Sequence, residues 1–367
     1  MAIQITNQPT NPPYPAYNNS IIEFTSDAGT PITADIIVNG YTFEQSADAD
    51  GIFHFNLKRI IEVLINQNNF SDHIAIDNPA DFLFLDQTLF LDVEIEIIIS
   101  FADDSQESQT FTWPYIKSVI QEGEKQFNNS QLKLLAPYAN DICHLTYFEG
   151  YPFDISIYSD IARLITITNL RTGLATDLNL LKGVNRLFIS NGENDNLGFE
   201  SQLPLYLGIN ELEFKANDQI YFTLLLNKRS PECGNLLKFF NRQGGWSYWN
   251  FMDLHVEKTK ADTIDRLNSD FNNVDKSRGN FAITGKEAEK SRSLLSGLVQ
   301  DHEKKLISQL PTSPKVYLYT NELASPFELN DFIEVEVDGG TFSTSNKHQQ
   351  SVFNLTINLP KIYTQTL

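Results

Sequence analysis

The sequence predicts a mainly β, multi-domain protein built of antiparallel β-sandwiches, with one or two amphipathic helices. Three observations predict it. Apolar residues alternate with polar ones in Val93, Ile95, Ile97, Ile99 and Phe101, in Ile333, Val335 and Val337, and in Phe353, Leu355, Ile357 and Leu359, the two-residue period of a half-buried strand. Between such runs stand turn formers, Asn39-Gly40 and Gly244-Gly245 among them. Helical spacing shows in only two places. At 367 residues the chain exceeds what one hydrophobic core usually organises, and 41% hydrophobic residues are enough to fill several.

Taken in order, the segment to Asn19 is rich in proline (Pro12, Pro13, Pro15) and reads as an extended arm or edge segment. Asp35–Val38, Asn39-Gly40 and Tyr41–Phe43 form a hairpin signal, because Asn-Gly suits a type I′ turn. Leu57, Ile60, Ile61 and Leu64 then fall on one face of a helix within 55–66. The strand at Val93–Phe101 follows, and Trp113-Pro114 closes a first, acidic, β-rich domain over 1–115. A middle sandwich-like domain, 116–232, is expected from short strands at Cys143–Phe148, Ile155–Tyr158, Leu164–Thr168, Asn185–Ser190, Glu211–Lys215 and Ile220–Leu226.

The third domain, 233–367, opens on an aromatic hairpin around Gly244-Gly245. Phe239, Phe240, Trp246, Tyr248, Trp249 and Phe251 form its candidate core or interface, and no other site residues are nominated. Trp246 and Tyr248 point one way and Trp249 and Phe251 the other, so both faces of the second strand are aromatic. Such a strand belongs in a core or an interface. The segment 255–292 is charged, mixed in sign and poor in aliphatics, which suggests a solvated protrusion, either a long loop or a segment ordered by a partner. Thr284–Glu287 has capping-box spacing, and Leu295, Leu298, His302, Leu306 and Leu310 recur at helical intervals, predicting a helix over about 287–310 that Pro311 ends.

Net charge is −20, and the first 115 residues hold Lys58 and Arg59 against seventeen acidic side chains. A surface this acidic repels phosphate and argues against specific nucleic-acid binding. Cys143 and Cys233 are the only cysteines, which excludes a disulfide framework. No secretory leader is expected at the N-terminus, and no apolar run is long enough for membrane insertion.

Catalytic signatures are missing. There is neither a phosphate-cradling Gly-rich loop nor a dinucleotide fingerprint, and Gly245-Trp246-Ser247-Tyr248-Trp249 lacks the closing glycine of a nucleophile elbow. His144 and Cys143 are strand neighbours that point to opposite faces. Ser46–Gly51 and Asn191–Asp195 with Glu200 put oxygen ligands at alternate positions without completing a calcium loop. No catalytic residue, metal or cofactor is therefore expected.

Pro15–Phe24, Gly51–Ile61, Leu237–Trp249 and Leu310–Leu318 resemble a group of structural tail proteins, of distal-tail or baseplate type, from tailed phages and prophages of Bacteroidetes hosts. The resemblance implies a non-enzymatic virion protein, made in the bacterial cytoplasm, that links the tail tube to tip or fibre proteins. Its implied partners are itself, as a hexameric ring homo-oligomer, and other tail proteins, with DNA passing an acidic lumen. The alternative is a host-surface glycan-binding adhesin or receptor-binding tail protein, for which the hairpin aromatics would have to be exposed.

Overall fold

The computed structural model describes the chain except residues 1–2, 68–69, 71, 73–81, 124–130, 140–141, 193–197, 231–232, 269–274, 276–280, 321–331, 339–350 and 366–367. It is mostly strand, in several largely antiparallel sheets, with two short α-helices. The chain separates into two compact units rather than three domains. The first comprises 1–230 and 241–247, the second 231–240 and 248–367. The boundary expected at 115 is bridged by sheet pairing, because Leu83–Leu85 hydrogen-bonds along Gly183–Asn191.

In the first unit, Gln4–Asn7, Ile21–Thr25 and Phe53–Asn56 form one sheet. A second runs in the order Tyr14–Pro15, Gln106–Ile116, Phe90–Phe101, Pro31–Val38, Tyr41–Ser46. The last two strands meet at Asn39-Gly40, whose φ angles of 44° and 87° suit the type I′ turn that the dipeptide predicts. The Pro-rich arm lies within its own unit: Tyr14 is buried against Trp113 and Tyr115, with ring centroids 5.6 Å apart in each case. Helix Lys58–Asn66 buries Ile61, Leu64 and Ile65 in the core shared with Phe24, Phe53, Ile36, Ile95 and Ile97.

The remaining sheets of this unit are six- and four-stranded. The first runs Tyr138–Ala139, Ile142–Phe148, Gln219–Arg229, Gly208–Ala216, Arg163–Asn169, Leu174–Leu180. Its Ile142–Phe148 and Gln219–Arg229 strands are parallel, an exception to the antiparallel rule. The second runs Leu132–Leu134, Pro152–Ser159, Gly183–Asn191, Leu83–Leu85.

Lys133, in the short Leu132–Leu134 strand, is buried, and burial pushes its ammonium down to about 8. A lysine whose folded value lies below its unfolded one opposes folding while charged, and stability recovers as pH rises from the folded value toward about 10.5. Stability of the first unit should therefore climb between pH 8 and 10, before the buried tyrosines Tyr115, Tyr147 and Tyr158, all raised by burial, begin to oppose it. Lys133→Met should be more stable than wild type at pH 7 by up to about 3 kcal/mol and should flatten that climb. Urea titrations at pH 7, 8.5 and 9.5 measure it.

In the second unit, the sheet order is Trp246–Met252, Gly234–Phe240, Val316–Tyr319, Phe332–Glu334, with Trp246 and Ser247 counted in the first unit. Another sheet runs Val256–Asn268, Phe281–Val299, Ser351–Asn358, Glu336–Val337. The helix expected over 287–310 is corrected here. Phe281–Val299 is a 19-residue strand, and the helix is confined to Asp301–Ile307. Leu294, Ser296 and Val299 point inward while Leu295 and Leu298 are exposed, so the leucine spacing came from the outer side of a strand. The capping box is at Gln300 and Glu303, where the Gln300 backbone N–H donates to Glu303 Oε2 at 2.8 Å; Thr284–Glu287 lies mid-strand.

Candidate functional site

The hairpin aromatics are buried: Trp249, Phe239 and Phe251 are 0% exposed, and Tyr248, Trp246 and Phe240 no more than 4%. None offers a ring face to solvent for stacking on a sugar. The tip, Asn241–Ser247, sits in the first unit. Asn241 Nδ2 donates to Leu135 O and to Ser247 Oγ, both at 2.9 Å, and Val119 N–H donates to Arg242 O at 2.8 Å. Gly244 holds φ of 90°, and a β-carbon there would lie 2.9 Å from Lys117 O; one at Gly245 would collide with Leu135 O. Ser247 is buried and engaged by Asn241, unlike a nucleophile awaiting substrate. In the second unit, Lys238 lies over the Tyr248 and Phe332 rings at 5.7 and 5.0 Å.

Close to the tip is a buried ion cluster that the sequence did not announce. Arg186 is wholly buried and grips Asp154 with two parallel bonds, Nε to Oδ2 at 2.9 Å and Nη2 to Oδ1 at 2.8 Å. Its Nη1 donates to Asp72 Oδ1 at 2.6 Å, and Asp86 Oδ2 is 3.8 Å away. The guanidinium also lies 5.0 Å from the Phe188 ring and 5.7 Å from Trp246, which stacks on Phe70 at 5.6 Å. Lys117 Nζ sits 4.6 Å from the Phe70 ring with no hydrogen-bond partner among the described residues. Burial depresses its basicity, partly offset by Asp86. A wholly buried guanidinium held by Asp154 and Asp72, with Asp86 nearby, is an internal tie whose charge is met within the fold. The only trace in the sequence is a charged residue inside mainly apolar strands, Arg186 in Val184–Ile189 and Asp154 in Phe153–Tyr158.

The candidate calcium turn at Ser46–Gly51 is occupied by its own backbone. Asp48 Oδ1 accepts from Asp50 N at 3.0 Å and Ile52 N at 2.8 Å, and its Oδ2 faces His54 Nε2 at 3.3 Å. The Ile52 hydrogen bond leads in holding the Asp48 carboxyl below its usual range. In the other loop, Glu193–Asp195 lie outside the described residues, while Glu200 accepts from Tyr147 Oη at 3.0 Å and pairs with Lys228. Among the described residues no three His, Cys, Asp or Glu side chains gather to hold a metal, and no helix is long and apolar enough to cross a membrane.

The solvent-facing element is the ribbon of Val256–Asn268 against Phe281–Arg292. Every residue of Val256–Asn268 except Thr263 is exposed, including Ile264 at 52% and Leu267 at 60%. The loop reading of 255–292 is corrected: its described part is a strand pair in register from Val256↔Ser293 to Asn268↔Phe281, bulged near Ile264. Ser351–Asn358 covers only Ser291–Val299, and the segment after it touches Lys290, Ala288 and Lys286 through Leu359, Ile362 and Thr364. Beyond that, both faces and the outer edge of Val256–Asn268 are bare among the described residues.

No protein-family model matches the chain, and no curated protein does. Among solved structures it is similar to fibronectin(III)-like modules of Clostridium thermocellum CbhA (9% identity, 62% of this chain and 94% of that one, TM-score 0.20). It is also similar to a Ca2+-stabilised adhesin with which an Antarctic bacterium binds ice (10%, 94% and 69%, TM-score 0.16). A third is SGBP-B of the Bacteroides ovatus mixed-linkage glucan utilisation locus, in complex with a heptasaccharide (9%, 94% and 70%, TM-score 0.18). Scores this low transfer neither topology nor ligand to this chain.

Proposed function

We propose that the chain is a non-enzymatic binding and assembly protein of an exposed surface, of the adhesin or receptor-binding class, and more finely a component of a phage tail. The ribbon carries this reading. A two-stranded β element exposed on both faces is marginal in water, and it adds nothing to the core of its own unit. Its value lies in what it contacts. The tail assignment is supported by the resemblance of Pro15–Phe24, Gly51–Ile61, Leu237–Trp249 and Leu310–Leu318 to phage structural proteins. Glycan stacking by the hairpin is not part of the proposal, since those rings are buried.

Immunogold labelling of phage particles and of cells of the producing strain tests both levels. Gold at one end of a tail is the expected result. Gold confined to the cell surface would keep the binding class and remove the tail. Turnover of a host polysaccharide by the purified protein would overturn the non-enzymatic reading.

A further inference from the structure

The ribbon sorts its charges by face. Residues directly opposite in an antiparallel pair share a face, and successive pairs alternate. One face therefore carries Glu257 with Arg292, Thr259 with Lys290, Ala261 with Ala288, Thr263 with Lys286, and, past the bulge, Arg266 with Ile283. That is four cations to one carboxylate, and the carboxylate is taken, since Arg292 Nη2 donates to Glu257 Oε1 at 2.8 Å. Arg266 lies over Phe281 at 5.0 Å, consistent with its place on this face. The other face carries Lys258 and Lys260 against Glu289, Asp262, Glu287 and Asp265. Among the described residues Arg266, Lys286 and Lys290 have no ion pair. In a chain of net charge −20, three cations without an ion pair among the described residues, along one face lined by alanine and threonine, are a concentration of the minority charge.

The complementary surface lies on the five-stranded sheet of the first unit. Its inner face is apolar, with Ile36, Val38, Ile95 and Ile97 buried. Its outer face sets Asp35 directly opposite Glu44 and Glu96 opposite Ile37, with Glu94 two residues further along. Thr110 and Thr112 flank Glu96 and Glu94 on the next strand. None of these four carboxylates has an ion pair among the described residues. Like charges placed opposite each other in a sheet repel, which a cationic cover would relieve. Strand spacings of about 3.4 Å per residue and about 4.8 Å between strands make this patch about 14 Å long and about 10 Å wide, close to the span from Lys286 to Lys290.

We infer that the basic face of the ribbon in one copy, through Arg266, Lys286 and Lys290, docks on the acidic outer face at Asp35, Glu44, Glu94 and Glu96 of a second copy. The contact is heterologous, ribbon to sheet, so repeating it head to tail builds a closed ring or a filament. The inference deepens the assembly reading by naming its partner as the same chain.

A charge-swap experiment on the full-length protein decides it. Lys286→Glu with Lys290→Glu, and separately Glu94→Lys with Glu96→Lys, alter exposed (Lys286, Glu94) or half-buried (Lys290, Glu96) side chains, and circular dichroism checks that both variants fold. Sedimentation velocity at about 50 mM and 300 mM salt should show wild-type self-association that weakens with salt. Each reversal should weaken it at least about tenfold, and combining all four substitutions, which restores opposite charges, should recover most of it. A wild type that stays monomeric at high protein concentration and low salt overturns the inference. So does an oligomer indifferent to both reversals, or one that the combined variant fails to restore. These outcomes are separate from the labelling experiment: gold on tails with charge-insensitive assembly would sink this interface and leave the tail reading standing.

Discussion

Asp154→Ala should cost the first unit about 3–5 kcal/mol, because it leaves Arg186 buried without its two-point partner. The penalty comes from desolvation: a guanidinium in an apolar site is tolerable only while its N–H groups find acceptors. Asp72 at 2.6 Å and Asp86 at 3.8 Å remain, and they hold the loss below that of a bare charge. Asp154→Asn keeps the volume and one acceptor but loses the charge, so it should fall between alanine and wild type. Arg186→Lys should rescue nothing, since a single ammonium cannot reproduce the planar fork that meets Asp154 at both oxygens. Urea unfolding followed by tryptophan fluorescence reads these effects in the transition of the first unit. A loss below about 1 kcal/mol for Asp154→Ala would mean that water reaches Arg186 and that the cluster is not an internal tie.

Legibility in the sequence followed the range of the interactions. Asn39-Gly40 announced its hairpin because a type I′ turn is a local backbone requirement, and Leu57, Ile60, Ile61 and Leu64 announced their helix because one sheet face absorbs the stripe. The hairpin aromatics were legible for the same reason: rings on both faces of a short strand have nowhere to go but inside. The strand Phe281–Val299 was misread because Leu295 and Leu298 stand outward at 40% and 62% exposure, where a strand usually presents polar groups. Together with Leu306 and Leu310, which belong to later elements, they imitated a helical stripe. The Arg186 cluster was beyond reach for another reason. Its partners come from positions 72, 86 and 154, brought together by sheet pairing across long sequence separations. No spacing rule connects them. The charge sorting of the ribbon likewise depends on register, which a count of charges in 255–292 does not contain.

The two tryptophans of the hairpin, three residues apart, should report on different units. Trp249 is 0% exposed in a strand whose neighbour buries Leu236, Leu237 and Phe239, so Trp249→Ala opens a large void and should cost the second unit about 3–5 kcal/mol. Trp249→Phe keeps much of the volume and should cost distinctly less. Trp246 belongs to the first unit, stacked on Phe70 with an interplanar angle of 11° and lying 5.7 Å from the Arg186 guanidinium. Trp246→Ala should therefore lower the transition that Asp154→Ala lowers, while Trp249→Ala lowers the other. In the double mutant the losses should add to within about 0.5 kcal/mol, since the two rings belong to different units and point to opposite faces of the strand. Differential scanning calorimetry resolves this directly. If Trp249→Ala instead lowered the same transition as Asp154→Ala by a similar amount, the division of the hairpin at Ser247 and Tyr248 would be wrong, and its tip and strands would unfold as one cooperative body.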